Sequence, residues 1–431
     1  MKKIKDLYSF IKTKQNIVWS FKGILLSFVY LFQKYPKNVD FLFFCHDVYR
    51  HSQKDEKFYA PLVDPIIEEL DDKNIVSLAS PFSKIHGKMT YGNVRIDNFS
   101  ILIAFTKRLI FKGSLELTDI DNDPLIKSYK RLLKRIKPKK VIGIQPSIEL
   151  CIAAKELNIK TYDIQHGIIT DINYYNVNKR IDINQEGWPD VILCWDENST
   201  RRLEKISGGL ASNIVIGNPA YHSDYGMNMR KKSSKNKRNI VPKNKIILVS
   251  LTYLDYGVFH HDECYREIGI PKKLVELINE MPSFNWYLRL HPIQMKFNFT
   301  RVSKFLEKHF SHLDNVDWHT PSTNSLNSVL NDCHGHITVE SATALDAAQN
   351  SIPTIFVSCP GITDKEKIEI NFLEYLEAGI MKYVDLKYLD HKSLDFFSNY
   401  SSFTNDPLKG SINEGYVNFK KFISILKNNE I

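Results

Sequence analysis

"HITVESATALDAAQNSIPTI", residues 336–355, carries a strand, a helix start and the beginning of a second strand in one short stretch. A β-branched run reaches Glu340. Ser341, Ala342, Thr343 and Ala344 then open a helix with Asp346 in its first turn, and Ala344, Ala347 and Ala348 allow close packing. "PTIFVS" (353–358) resumes the strand pattern. Strand–helix–strand alternation of this kind belongs to parallel sheets covered on both faces. Hydroxyls and backbone N–H groups at a helix N-terminus can also hold an anion. A plain capped helix beside a strand has the same look, so this segment needs a partner before it can be read as a site.

That partner is "WYLRLHP", residues 286–292. Alternation puts Trp286, Leu288 and Leu290 on one face and Tyr287, Arg289 and His291 on the other, a strand with one face buried. Pro292 removes a ladder donor and ends it. A cation and an imidazole therefore sit together at the carboxyl end of a strand.

Working outward, short apolar runs alternate with helical stretches from residue 39 onward. The runs are "VDFLFFCHD" (39–47), "NIVSLAS" (74–80), "KKVIGIQPS" (139–147), "KTYDIQHG" (160–167), "DVILCWDE" (190–197) and "NIVIGNP" (213–219). "MRKKSSKNKRNIVPKNK" (229–245) interrupts them. It is basic and lacks apolar periodicity, which fits a nucleic-acid or membrane patch or a solvated linker; with no aromatics for base stacking, the linker is the favoured reading. The alternation restarts with "KIILVSLTY" (245–253), "WYLRLHP", "GHITVES" (335–341), "PTIFVS" and "MKYVD" (381–385). The expected organisation is α/β: two doubly wound Rossmann-like domains at 39–228 and 245–412. They are joined by a linker at 229–244, preceded by a basic amphipathic helix at 1–38 and followed by a helix at 413–431.

The whole chain sets wider bounds. Its 431 residues suffice for two or three domains, and a net charge of +9 suits a nucleic acid, an anionic membrane surface or phosphorylated substrates. The six cysteines show no metal-ligand spacing and lie in or beside apolar runs, so they read as reduced core residues of a cytosolic protein. Near the N-terminus, Phe21, Ile24, Leu25, Phe28 and Phe32 keep a helical period between groups of lysines. Lys22 interrupts a stretch too short to cross a bilayer, and no small-residue cleavage site follows. The segment reads either as a helix lying in a membrane interface or as one packed on the first domain.

The strand ends share a habit. They carry His46 and Asp47, then Gln145, then Gln165, His166 and Gly167, then Gly217 and Asn218, and in the second half Arg289, His291, Glu340 and Ser341. Ligands in open α/β sheets bind beyond the carboxyl ends of the strands. The recurrence in both halves reads as a cleft lining, although "GNP" is also a plain turn. "DIDND" (119–123) has the spacing by which some glycosyltransferases hold a metal, but it precedes Pro124 and reads as a polar turn. "HHDEC" (260–264) lacks the second cluster a zinc site needs.

The order "LRLHP", "ESATALDAA", "SIPTI" resembles the C-terminal half of two-domain bacterial glycosyltransferases for surface polysaccharides, of the GT-B type. The "HP" followed by a Ser/Thr helix start is similar to capsule sialyl- and Kdo-transferases and to teichoic-acid glycerophosphotransferases, and "YDIQHG" and "IGNP" resemble elements of the same enzymes. "FFCHDVYRHSQKDEKFYAPLVDPIIEEL" is similar to O-antigen and capsule cluster proteins. The resemblance implies a nucleotide-sugar donor held by Arg289, His291, Ser341 and Thr343, with Glu340 toward the ribose, and a leaving nucleotide neutralised without a metal or other cofactor. It implies a glycan or lipid-linked acceptor at the inner face of the cell membrane. The general base would come from the first domain, His166 first and Asp47 second, in the interdomain cleft. The rivals are a nucleotide-sugar epimerase of the same fold, a CDP-glycerol-type glycerophosphotransferase, and a non-catalytic glycan-assembly scaffold.

Overall fold

In the computed structural model the described residues are 35–428, apart from 47–48, 51, 72, 80–84, 86, 97–103, 105–106, 108–119, 170–186, 225, 228–244, 253–263, 266–267, 360–364 and 400–408. The N-terminal helix, Asp47, Asp119, the basic linker and His260–Asp262 fall outside these. The described chain forms two compact units: one runs to Ser223 and takes in the return from Gly415, and the other covers Asp224–Glu414.

The first unit is built on a seven-stranded sheet. Its strands are β1 (Phe41–Cys45), β2 (Ile75–Ala79), β3 (Arg95–Ile96), β4 (Lys140–Gly143), β5 (Lys160–Ile164), β6 (Val191–Cys194) and β7 (Ser212–Val215). They are parallel throughout, in the order β3-β2-β1-β4-β5-β6-β7. The strands read as near-continuous apolar runs because both faces are covered. From β1, Leu42 joins Val76, Leu78 and Val141 under helices α1 (Pro124–Ile136) and α2 (Ile148–Lys155). Phe41, Phe43 and Cys45 face the opposite way with Ile142, Tyr162 and Ile164. Phe419, Phe422, Ile423 and Leu426 of the C-terminal helix Lys409–Asn428 cover that side.

Local sequence sets the helix boundaries. Asp123 caps α1 by accepting from the N–H groups of Leu125 (2.8 Å) and Ile126 (3.2 Å), Pro124 occupies the first turn, and Lys137 ends the helix at φ 52°. The last aspartate of "DIDND" is therefore a fully buried helix cap and not a metal ligand.

The second unit carries a six-stranded sheet. Its strands are β8 (Ile246–Ser250), β9 (Asn285–Arg289), β10 (Val316–Asp317), β11 (Gly335–Thr338), β12 (Thr354–Val357) and β13 (Met381–Val384). All are parallel, in the order β10-β9-β8-β11-β12-β13. Ile247, Val249, Trp286, Leu288, Ile337, Ile355 and Val357 form one core. Leu248 faces the other way, onto Val329, Leu330, Ala347 and Ile352. The alternation expected of "WYLRLHP" is observed: Trp286, Leu288 and Leu290 are buried and Tyr287 and Arg289 are half-buried. His336 is fully buried in β11 between the hydroxyls of Ser250 (2.9 Å) and Thr354 (3.1 Å), and desolvation pushes its imidazole down to about 3.

The cysteine expectation needs one correction. Cys45, Cys151, Cys194 and Cys333 are free and buried, but Cys359 is disulfide-bonded.

Candidate functional site

In each sheet the chain leaves one central strand in one direction and returns on its other side. That switch lies between β1 and β4 in the first unit and between β8 and β11 in the second. Crevices at such points, beyond the carboxyl ends, are where open α/β sheets bind ligands.

In the first unit, β1 delivers His46, which is exposed, and β4 delivers Gln145, exposed at φ 49°. Gln145 holds this left-handed conformation because its N–H donates to Oδ1 of Asp163 at 2.7 Å, a fully buried carboxylate on β5. His166 follows β5, and its ring meets that of Tyr49 edge-on at 5.5 Å between centroids. Burial alone pushes His166 down to about 4, so it is neutral at pH 7. The Tyr49 hydroxyl is raised by burial first and by the Asp163 charge second. Gly167 is half-buried, and a Cβ added there would meet nothing.

Three expected lining residues are instead interior. Gln165 is 1% exposed: its carboxamide donates to Gly167 O (2.9 Å) and Ser199 Oγ (3.0 Å) and accepts from Trp195 N (2.7 Å), so it ties loops together. Asn218 is buried and caps the short helix Pro219–His222 by accepting from Ala220 N at 3.0 Å. Gly217, at φ 72°, lies where a Cβ would come 2.5 Å from His222 Nδ1 and 2.7 Å from Gly415 O. Glycine is required there by both space and conformation.

In the second unit, β9 delivers Arg289 and His291, and β11 leads into Glu340, Ser341 and the helix Thr343–Gln349. Arg289 Nη1 donates to the carbonyls of Pro321 and Asn324, fixing the turn that flanks the strand end. His291 Nδ1 accepts from Ile293 N at 3.2 Å, and burial pushes the ring down to about 4. The imidazole is thus neutral with its proton on Nε2, a donor that carries no charge. The His291 N–H donates to Oε1 of Gln294 at 2.8 Å, and Gln294 Nε2 reaches Thr252 O at 3.4 Å. Gln294 opens a π-helical turn, Gln294–Asn298, of the kind that recurs at functional sites. Ser341 Oγ accepts from Thr343 N (3.2 Å) and donates to Thr343 Oγ1 (3.0 Å), while Glu340 pairs with Lys367 at 2.8 Å.

Sequence reasoning did not single out Tyr49, Asp163, Thr252 or Gln294. For Asp163 a signal existed: a carboxylate inside the apolar strand "TYDI" needs a buried partner. Among the described residues, no group of three or more His, Cys, Asp or Glu is placed to hold a metal ion.

No family model matches the chain, and no curated protein matches it in sequence. Solved structures do. The UDP-N-acetylglucosamine 2-epimerase from Rickettsia bellii is 14% identical, with a TM-score of 0.53 over 91% of this chain and 97% of that one. The MnaA–UDP co-structure from S. aureus is 14% identical, with a TM-score of 0.50 over 90% and 96%. The glycotransferase of kitacinnamycin is 11% identical, with a TM-score of 0.50 over 92% and 99%. At these identities the likeness concerns the fold, and the fold is that of GT-B-type proteins: two Rossmann-like α/β domains.

Proposed function

We propose that this protein is an enzyme acting on a nucleotide sugar, and specifically a glycosyltransferase that moves the sugar to a growing surface polysaccharide. The observation that carries the reading is the second unit's switch point. His291, held as a neutral Nε2–H donor, and Arg289 stand at the end of β9 on one side of β8, with the hydroxyls of Ser341 and Thr343 following β11 on the other side. Preorganised donors of this kind stabilise the charge that develops on a departing nucleotide, where they cost no reorganisation during reaction. Glu340 would contact the ribose. His46, Gln145, His166 and Gly167 would meet the acceptor, with His166 or Asp47 taking its proton. A base whose pKa lies near 4 is weak, so desolvation and orientation must supply much of its effect. The acceptor would be a glycan or lipid-linked glycan at the inner membrane face, reached through the basic N-terminal segment. Among the described residues no helix is long and apolar enough to cross a membrane.

A second reading, nucleotide-sugar epimerase, is favoured to the same degree by the fold shared with the Rickettsia bellii enzyme. A glycerophosphotransferase would use the same phosphate-facing groups.

A thermal-shift panel with UDP, CMP, CDP and GDP tests the common ground. A ligand selective for the native state raises apparent stability, by about 2.7 kcal/mol at a hundred times its Kd. One nucleotide should raise the Tm in a saturable way. A flat response to all four would reject both readings.

A further inference from the structure

Thr252 stands two residues past β8, at the second unit's switch point, and its hydroxyl is buried without a hydrogen-bond partner among the described residues. Leaving a buried hydroxyl unsatisfied is costly, and groups of this kind are few in native proteins. The surroundings hold this one in register with the site. Leu251 N donates to Arg289 O at 2.9 Å, and Gln294 joins the carbonyl of Thr252 to the backbone of His291 through one carboxamide. Ser250, just before, is fixed by His336. The hydroxyl thus sits on a segment tied through Gln294 to the backbone of His291, and it has no hydrogen-bond partner among the described residues.

We infer that Thr252 is a ligand-contacting residue whose hydroxyl donates to a phosphate oxygen of the nucleotide. Gln294 acts as the positioning residue that keeps the hydroxyl and the His291 imidazole at a fixed spacing. The inference rests on the nucleotide-sugar reading above and adds to it one phosphate contact, Thr252, and one positioning residue, Gln294. It makes an unusual joint prediction. A purely structural threonine loses stability when its hydroxyl is removed. A threonine kept for a ligand gains stability without one and loses affinity.

The test is Thr252→Val and Thr252→Ser beside the wild type, each titrated with UDP and, in parallel, with CMP, CDP and GDP. Thr252→Val should melt no lower than the wild type when unliganded and bind the nucleotide about ten- to a hundredfold more weakly, the loss of one charge-assisted hydrogen bond. Thr252→Ser should bind within about twofold of the wild type, a margin small against that loss. If valine prevents folding, Thr252→Ala carries the affinity arm. Wild-type affinity in the valine or alanine variant overturns the inference while leaving the nucleotide-sugar reading intact. A wild type that responds to none of the four nucleotides removes both.

Discussion

His291 shows how one side chain's role follows from its surroundings. Read from the sequence, the histidine beside Arg289 at a strand end is an imidazole that could be either a positive group or a proton carrier. Burial depresses its pKa to about 4 from an ordinary 6.5, and the bond from Ile293 N fixes the proton on Nε2. The unfolded chain therefore binds more protons than the folded one between those values, and this group's contribution to stability rises with pH through that window. His166 and His336 act in the same sense, whereas Asp64, raised by burial to about 6, acts in the opposite one. The clean measurement is a difference. The stability of wild type relative to His291→Asn should shrink as pH falls from 6.5 to 4 and stay constant above about 7. A difference that grows on acidification would mean the imidazole is paired as a cation. At neutral pH the same variant should lose about a hundredfold or more in turnover, as for a removed oxyanion donor.

At the scale of elements, the strands were legible and their order was not. The apolar runs beginning at residues 39, 74, 139, 160, 190, 245, 335, 353 and 381 each contain a sheet strand. The two-residue strands β3 and β10 were not seen, because two residues show no period. Nor was the hairpin of Ser52–Lys54 with Lys57–Tyr59, a short polar pair. That hairpin adjoins an ion pair that composition could not reveal. Arg50 Nη1 reaches both oxygens of Asp64, at 3.1 and 2.8 Å, with the two side chains 1% and 0% exposed. Asp64 also accepts from Ala60 N at 2.8 Å, while Arg50 Nε and Nη2 have no hydrogen-bond partner among the described residues. Among the described residues, Asp64 is the carboxylate that pairs directly with the guanidinium. Asp64→Asn should keep the shape and leave a buried cation uncompensated, costing about 3–5 kcal/mol in urea unfolding. A loss below about 1 kcal/mol would mean that the pair is solvated in solution.

At the scale of the whole molecule, strand–helix alternation was enough to indicate two parallel α/β units, since a strand buried on both faces must be apolar almost throughout. The site was only partly legible. Its residues could be placed at strand ends because side-chain alternation is local, but whether each faced a crevice depended on packing from distant sequence. Gln165 is drawn inward by Ser199 and Trp195, and Gly217 is covered by Gly415 of the C-terminal helix. Thr252 matched no motif; only the strand order puts it at the switch point. The fold is common ground for a transferase and an epimerase, so chemistry must separate them. The most direct measurement supplies the nucleotide sugar of whichever nucleotide stabilises the protein, with and without a polysaccharide-type acceptor, and follows both free nucleotide and sugar stereochemistry. The account predicts nucleotide release that depends on the acceptor, with the sugar recovered in the glycan. A sugar isomer still attached to its nucleotide, formed without acceptor, would contradict it.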